Sequence, residues 1–363
     1  MDDFEQCSRK KHRSISGIVP STSKTAVEGE HLTIEELLPS LTIAADLFSG
    51  PSEPSLLALP NELLDYVFSF LDAEPPSQRN FTQLPSRDWT DSCQAPLKAL
   101  SRASRRLRLI LLQRLFRHAR LDACHLAPLL EFVHLFDLAS SIESIVVHVP
   151  ALHDGVHPTW YVRLLNEIPV SRLTVGCEPH ILEEVLGIQM NLADRWAFHI
   201  PYQYLEVRQP SSEATRQVFY HSLPGLLGTK GWQSIRIHEG SSLAAYTSYE
   251  YFLKQPPSFM LDIRSHLSDV PFDATPELMA KDFPRLSTPI TLVQGMLQNL
   301  REFSFVAVFP CYNHFADISE CIGRMWNLER LFIKLCPEPD STVLEDAVKA
   351  AEGHIDLNDP WNE

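Results

Sequence analysis

The chain has 363 residues, 44% hydrophobic and 21% charged, a composition that fits one large or two ordinary globular domains with a sizeable core. Its formal net charge of −15 argues against generic binding to nucleic acid or anionic membrane and points towards protein partners. The 7 cysteines are scattered and never form a Cys-x-x-Cys pair, so reduced thiols in the cytoplasm or nucleus are expected, and 27 Pro against 13 Gly predict many short elements joined by Pro-containing loops.

Residues 1–53 are polar and rich in Ser and Thr, which predicts a disordered amino-terminal region. They lack the apolar h-region of a secretory signal. Nowhere does the sequence reach the roughly 18 uninterrupted apolar residues of a membrane span, and even Leu107–Phe116 is broken by Arg108 and Arg114. The run Arg9-Lys10-Lys11-His12-Arg13 reads as a nuclear import signal or as a solvated basic cluster, and the second is the commoner outcome.

The first strongly patterned stretch is Leu59–Asp72. At about 100° per residue, Phe70, Leu63, Val67, Leu71, Leu64 and Phe68 fall in one arc of roughly 160°, with Asn61, Glu62, Asp65, Tyr66, Ser69 and Asp72 on the rest. A core-facing stripe needs only about 100°, so one edge is expected to pack on its own domain and the other on a partner. Pro60 suits the first helical turn, where its missing N–H costs nothing.

Residues 73–95 carry Pro75, Pro76, Pro85, Ser77, Ser86 and Ser92 with few aliphatics and read as an inserted loop. Helical spacing resumes with Leu97, Leu100, Ser104, Leu107, Leu111 and Leu115, giving one helix or two in succession from about Pro96 to about His118. The opposite face holds Lys98, Arg102, Arg105, Arg106, Arg108, Arg114 and Arg117, with Arg120 just beyond. It suits a nucleic-acid or anionic-partner patch, or a solvated face whose arginines meet acidic neighbours. The acidic balance of the chain favours the second reading.

From about Leu121 the pattern apolar-x-x-apolar-x-apolar recurs at Ile142/Ile145/Val147, Val170/Leu173/Val175, Tyr202/Leu205/Val207, Trp232/Ile235/Ile237, Leu300/Phe303/Phe305 and Leu328/Leu331/Ile333. A seventh copy, Leu261/Ile263, has Ser258 at its first position. The spacings sit mostly at or just above the period of leucine-rich repeats, about 20–29 residues. Each copy reads as a short strand, with helical stretches such as Ile181–Leu192, Ile290–Leu297 and Phe315–Met325 between them. A curved solenoid is favoured over an ordinary α/β domain with unrelated strands, although the consensus Asn or Cys is mostly absent. Residues 341–363 are predicted to be an acidic tail.

Enzyme signatures are missing where they would be sought. Gly225-Leu226-Leu227-Gly228-Thr229-Lys230-Gly231 has the wrong spacing before Lys230 for a phosphate loop, and Gly231 replaces the required Ser or Thr; a turn before the Trp232 strand fits better. Cys311, His314 and Cys321, or His153 and His157, have no recognised metal-ligand spacing. No nucleophile elbow or dinucleotide fingerprint occurs. No catalytic, cofactor-binding or metal-ligating residue is therefore assigned, and no cofactor is expected.

The stretch Leu59-Pro60…Leu63-Leu64…Val67-Phe68…Phe70-Leu71-Asp72, followed by Leu97–Arg108 and Leu111–Leu121, resembles an F-box with the flank found in fungal members of that family. The likeness spans Leu56 to Leu121 apart from the insert. It departs from the family in the length of that insert and in Leu107, where many members carry Trp. The resemblance implies a mixed α+β or α/β chain: a small helical F-box over 54–122, with the inserted loop at 73–95, followed by an irregular leucine-rich-repeat-like solenoid over 123–340 that recruits a protein substrate. It implies docking on a Skp-type adaptor and, through it, on cullin and RING subunits of an SCF-type ubiquitin ligase. The adaptor-facing positions carried over are Leu59, Pro60, Leu63, Leu64, Val67, Phe68 and Leu71, with Leu97, Leu100, Ser104 and Leu107 from the second helical stretch. The chain would then be a non-catalytic substrate receptor, or else a non-degradative F-box scaffold. Candidate substrate contacts on the concave strand face are Arg236, His238, Asp262 and Arg264, each of which reads equally well as ordinary solvated surface.

Overall fold

The structure, a computed structural model, describes residues 56–72, 74–86, 94–150, 157, 159–187, 190–198, 200–209, 225–247, 253–258, 260, 299–339, 341, 342 and 345. The expected disordered region 1–53, the strand copy Leu261/Ile263, the helical stretch Ile290–Leu297 and nearly all of the acidic tail lie outside the described residues. Pro60–Glu363 groups as one compact unit. Of the preceding residues, Leu56–Ala58 form a 3₁₀ turn.

The compact unit opens with three helices and a short one-turn segment. Helix α1 spans Asn61–Ser69, α2 Pro76–Asn80, α3 Ala95–Ala103 and α4 Arg105–Phe116. The helical stretch after residue 95 is thus two helices in succession. Ser104 separates them in an extended conformation (φ −151°, ψ 155°), and its hydroxyl accepts from the Leu107 N–H at 3.1 Å, a side-chain cap for α4. Leu64 and Phe68 of α1, Leu97 of α3 and Leu107 and Leu111 of α4 are buried.

A seven-stranded sheet follows: β1 His118–Asp122, β2 Ser144–Val149, β3 Arg172–Cys177, β4 Gln203–Arg208, β5 Ser234–Ser241, β6 Glu302–Val308 and β7 Arg330–Lys334. The strands lie side by side in sequence order. Six described copies of the apolar pattern fall on β2 to β7. β1 is an addition, starting where the long helical stretch was expected to end. The fold is mixed α/β, and the sheet is mostly parallel: β4 alone runs antiparallel to both neighbours, β3 and β5. A uniformly parallel stack is therefore interrupted once, and the second reversal, into β5, restores the original direction.

The helices between these strands pack on one face of the sheet. That face receives α5 Leu126–Leu135, α6 Trp160–Glu167, α7 Pro179–Leu186 and α9 Tyr312–Gly323, while α8, Arg195–Phe198, is a short turn before β4. Alternate strand residues, including Ile145, Val147, Leu173, Val175, Leu205, Val207, Ile235, Ile237, Phe303 and Phe305, form one apolar cluster with these helices. The leading positions Ile142, Val170, Trp232 and Leu300 join the same cluster, closing it at one end. The other sheet face is polar.

Candidate functional site

The helical module divides the apolar arc of α1 in two. Leu64 and Phe68 point inward, at 0% and 1% exposure, while Leu63 and Phe70 on the opposite edge are 50% and 68% exposed. Tyr66, on the polar side of the sequence reading, is 64% exposed and sets its ring edge-on to Phe70 at 5.2 Å. Leu109 of α4 is also exposed. The positions carried over as adaptor-facing therefore separate. Pro60 and Leu63 are exposed, Leu59, Val67, Leu71, Leu100 and Ser104 are half-buried, and Leu64, Phe68, Leu97 and Leu107 are inside the module. Leu64 and Phe68 on the inward edge of α1, Leu97 on α3 and Leu107 on α4 close the module itself. Sequence reasoning did not assign Tyr66, although its place one turn before Phe70 was legible.

The basic face of α4 is spent largely on this module. Arg114 grips Asp65 with two hydrogen bonds of 2.9 Å and Asp72 with one of 2.5 Å, and Arg117 reaches Asp72 at 3.1 Å and Glu143 at 2.9 Å. Arg106 donates twice to Asn61 Oδ1, at 3.0 and 2.8 Å. Hydrogen bonding from Arg114 holds the Asp65 carboxyl below its ordinary range. This is the pairing with acidic neighbours favoured from sequence.

The polar face of the sheet is the second surface. In its successive register rows, Arg172 stands opposite Arg208, Glu206 opposite Arg236 and Thr174, and Tyr204 opposite Gly176 and His238. The described part of the expected inserted loop lies across this face as a strap, residues 76–86. Phe81 seats its ring over the Arg236 guanidinium at 3.9 Å and forms a small buried cluster with Tyr204 and Val306. The Tyr204 hydroxyl donates to the Ser86 carbonyl, and Arg172 donates to Gln78 Oε1 at 3.2 Å. Gly176 makes room for the Tyr204 ring, into which a Cβ there would run.

Two concave-face expectations change accordingly. His238 is fully buried, with its ring 6.2 Å from that of Phe81, and burial pushes its pKa down to about 3. Arg236 is covered by Phe81 and paired with Glu206 at 3.2 Å. Asp262 and Arg264 lie outside the described residues. Beside the strap a cleft of about 610 Å³ remains, lined by Gln78, Arg208, Glu302, Ser304, Arg330 and Phe332 among others.

The groups weighed for chemistry have structural partners. Lys230 reaches the Val170 carbonyl at 3.4 Å, and Trp232 Nε1 donates to the Leu226 carbonyl at 3.2 Å, so the Gly225–Gly231 segment is a turn packed before β5. His314 Nε2 lies 3.0 Å from Glu239, whose other carboxylate oxygen accepts from the Ser258 hydroxyl, and Cys321 Sγ faces the Met260 carbonyl at 3.5 Å. Burial pushes the Cys311 thiol up to about 11. His157 accepts from the Thr159 N–H within its own turn, and His153 is outside the described residues. Among the described residues no three His, Cys, Asp or Glu side chains gather as a metal site, and no helix is long and apolar enough to cross a membrane.

No family model matches the sequence, and no curated protein or solved structure matches it significantly.

Proposed function

We propose that the chain is the substrate-recognition subunit of an SCF-type ubiquitin ligase, with α1, α3 and α4 as an F-box docking on a Skp-type adaptor and the repeat-like sheet domain recruiting a protein substrate. It carries no chemistry of its own in this reading and acts by bringing two proteins together in the cytoplasm or nucleus. The observation that carries the proposal is the split arc of α1: Leu64 and Phe68 close the module, while Leu63, Tyr66 and Phe70 remain in water. Each large apolar side chain moved from water into an interface contributes about 1.5–3 kcal/mol before ordering costs. Three together can anchor a docking surface.

Co-purification of the intact chain with a Skp-type adaptor tests this. Leu63→Ser with Phe70→Ser should abolish capture while leaving the melting temperature nearly unchanged; capture at the wild-type level would sink the reading. A non-degradative F-box scaffold is favoured by one observation, the strap that already covers the sheet's polar face. Reconstituted ubiquitylation of proteins captured by the chain separates the two: modified partners support the receptor, unmodified ones the scaffold.

A further inference from the structure

The polar face of the sheet carries Arg120, Arg172, Arg208, Arg236, Arg330 and Lys334 against Asp122, Glu206 and Glu302, in a chain whose formal net charge is −15. At the junction of β3 and β4, Arg172 and Arg208 are direct cross-strand partners. Like charges in that relation destabilise a sheet unless something between them compensates. Glu206 is paired with Arg236, and Glu302 serves both Arg208, at 3.6 Å, and Arg330. Arg172 is left with a neutral partner, the Gln78 side-chain oxygen of the strap. Burial, with the neighbouring Arg208 and Arg236, pushes the Arg172 guanidinium below its ordinary pKa, against the pull of Glu206 and Glu143.

The strap therefore meets the face well in shape and poorly in charge. Its aromatic ring fills a site built from Arg236, Tyr204, Val306 and His238, while one turn earlier, on the same side of α2, a carboxamide stands where a carboxylate would complete the arginine pair. The cleft beside Gln78 extends this site along Arg208, Glu302 and Arg330.

We infer that the polar face is a recognition surface for a segment of another protein that carries a carboxylate one turn before an aromatic ring, and that residues 76–86 hold the face as a placeholder which such a segment displaces. The inference rests on the sheet being the recruiting face and is independent of whether the helical module takes a Skp-type adaptor.

The probe is a fluorescein-labelled peptide copying residues 74–86 with Gln78→Glu, beside one keeping Gln and one with Glu plus Phe81→Ala, titrated by anisotropy into the intact chain. Loosening the strap in the chain with Phe81→Ala should tighten binding of the Glu peptide by about ten-fold or more, and the Glu peptide should bind about ten-fold tighter than the Gln peptide, one charge-assisted hydrogen bond's worth. The peptide lacking the ring should bind far more weakly. Arg172→Gln should erase the preference for Glu over Gln. Equal binding of the Glu and Gln peptides, or no saturable binding to a folded Phe81→Ala chain, would overturn the inference. Should Phe81→Ala fail to fold, the Gln78→Glu chain decides. A raised melting temperature with weaker peptide binding than wild type supports the placeholder, and an unchanged or lowered melting temperature overturns it. Adaptor capture on the same samples shows independently whether the proposed docking has failed.

Discussion

Leu63, Tyr66 and Phe70 on α1 stay exposed although they are apolar or aromatic, whereas Glu206 and His238 on the sheet are fully buried although they are polar. The two surfaces differ in what covers them. On α1 the described chain supplies a cover for one edge only, and on the sheet a segment of the chain itself lies over the centre of the face. Exposure here follows tertiary cover, and the polarity of a residue does not reveal which surface is open.

The largest expected effect separates the two edges of one helix. Phe68→Ala should cost about 3–5 kcal/mol in denaturant unfolding, because a buried ring leaves a cavity. Leu63→Ala should stay within about 0.5 kcal/mol, as an exposed position allows. Comparable losses at both positions would mean that the exposed edge is packed.

Gly176→Ala addresses the sheet. A methyl group there drives into the Tyr204 ring, and the ring's hydroxyl is one of the strap's anchors. A cost of about 1–3 kcal/mol is expected, with faster proteolysis within residues 76–86. Retained protection of the strap would show that Tyr204 does not hold it.

The pH dependence of stability adds a third contrast. His238 is kept neutral in the fold by burial, down to about pH 3, while an unfolded histidine takes up its proton near pH 6.5. Its contribution is whole above about 6.5 and falls by about 1.4 kcal/mol per pH unit as the pH drops below that value. Between about pH 6 and 5, where carboxylates contribute little, His238→Gln should flatten the curve. An unaltered slope would contradict the burial of this ring beneath the strap. The ion pairs of the helical module are tested at Arg114. Its Asp65 partner is more than half exposed, so Arg114→Gln should cost about 1 kcal/mol and less at high salt.

The sequence made the inner face of the sheet legible because buried strand positions alternate, and because residues such as Ile142 and Trp232 mark the approach to each strand. β1 fits the same template at Phe116/Ala119/Leu121, but Phe116 also closes α4, and the helical pattern masked it. The reversal of β4 left no trace because a period of two reads the same in both directions. The strap was illegible for a different reason. Gln78 and Arg172 are 94 positions apart, and Ser86 and Tyr204 are 118 apart, so no local pattern joins them. The exposed edge of α1 was legible as excess width of an apolar arc, and only burial told which residues form that edge.

Hydrogen exchange of the intact chain with and without a Skp-type adaptor tests the central claim most directly, since it reads both surfaces in one experiment. Amides of Asn61–Phe70 should slow on addition of the adaptor, while those of residues 76–86 and of β3 to β5 should keep their rates. Protection that falls on the strap and sheet, or no protection on α1, would contradict the account.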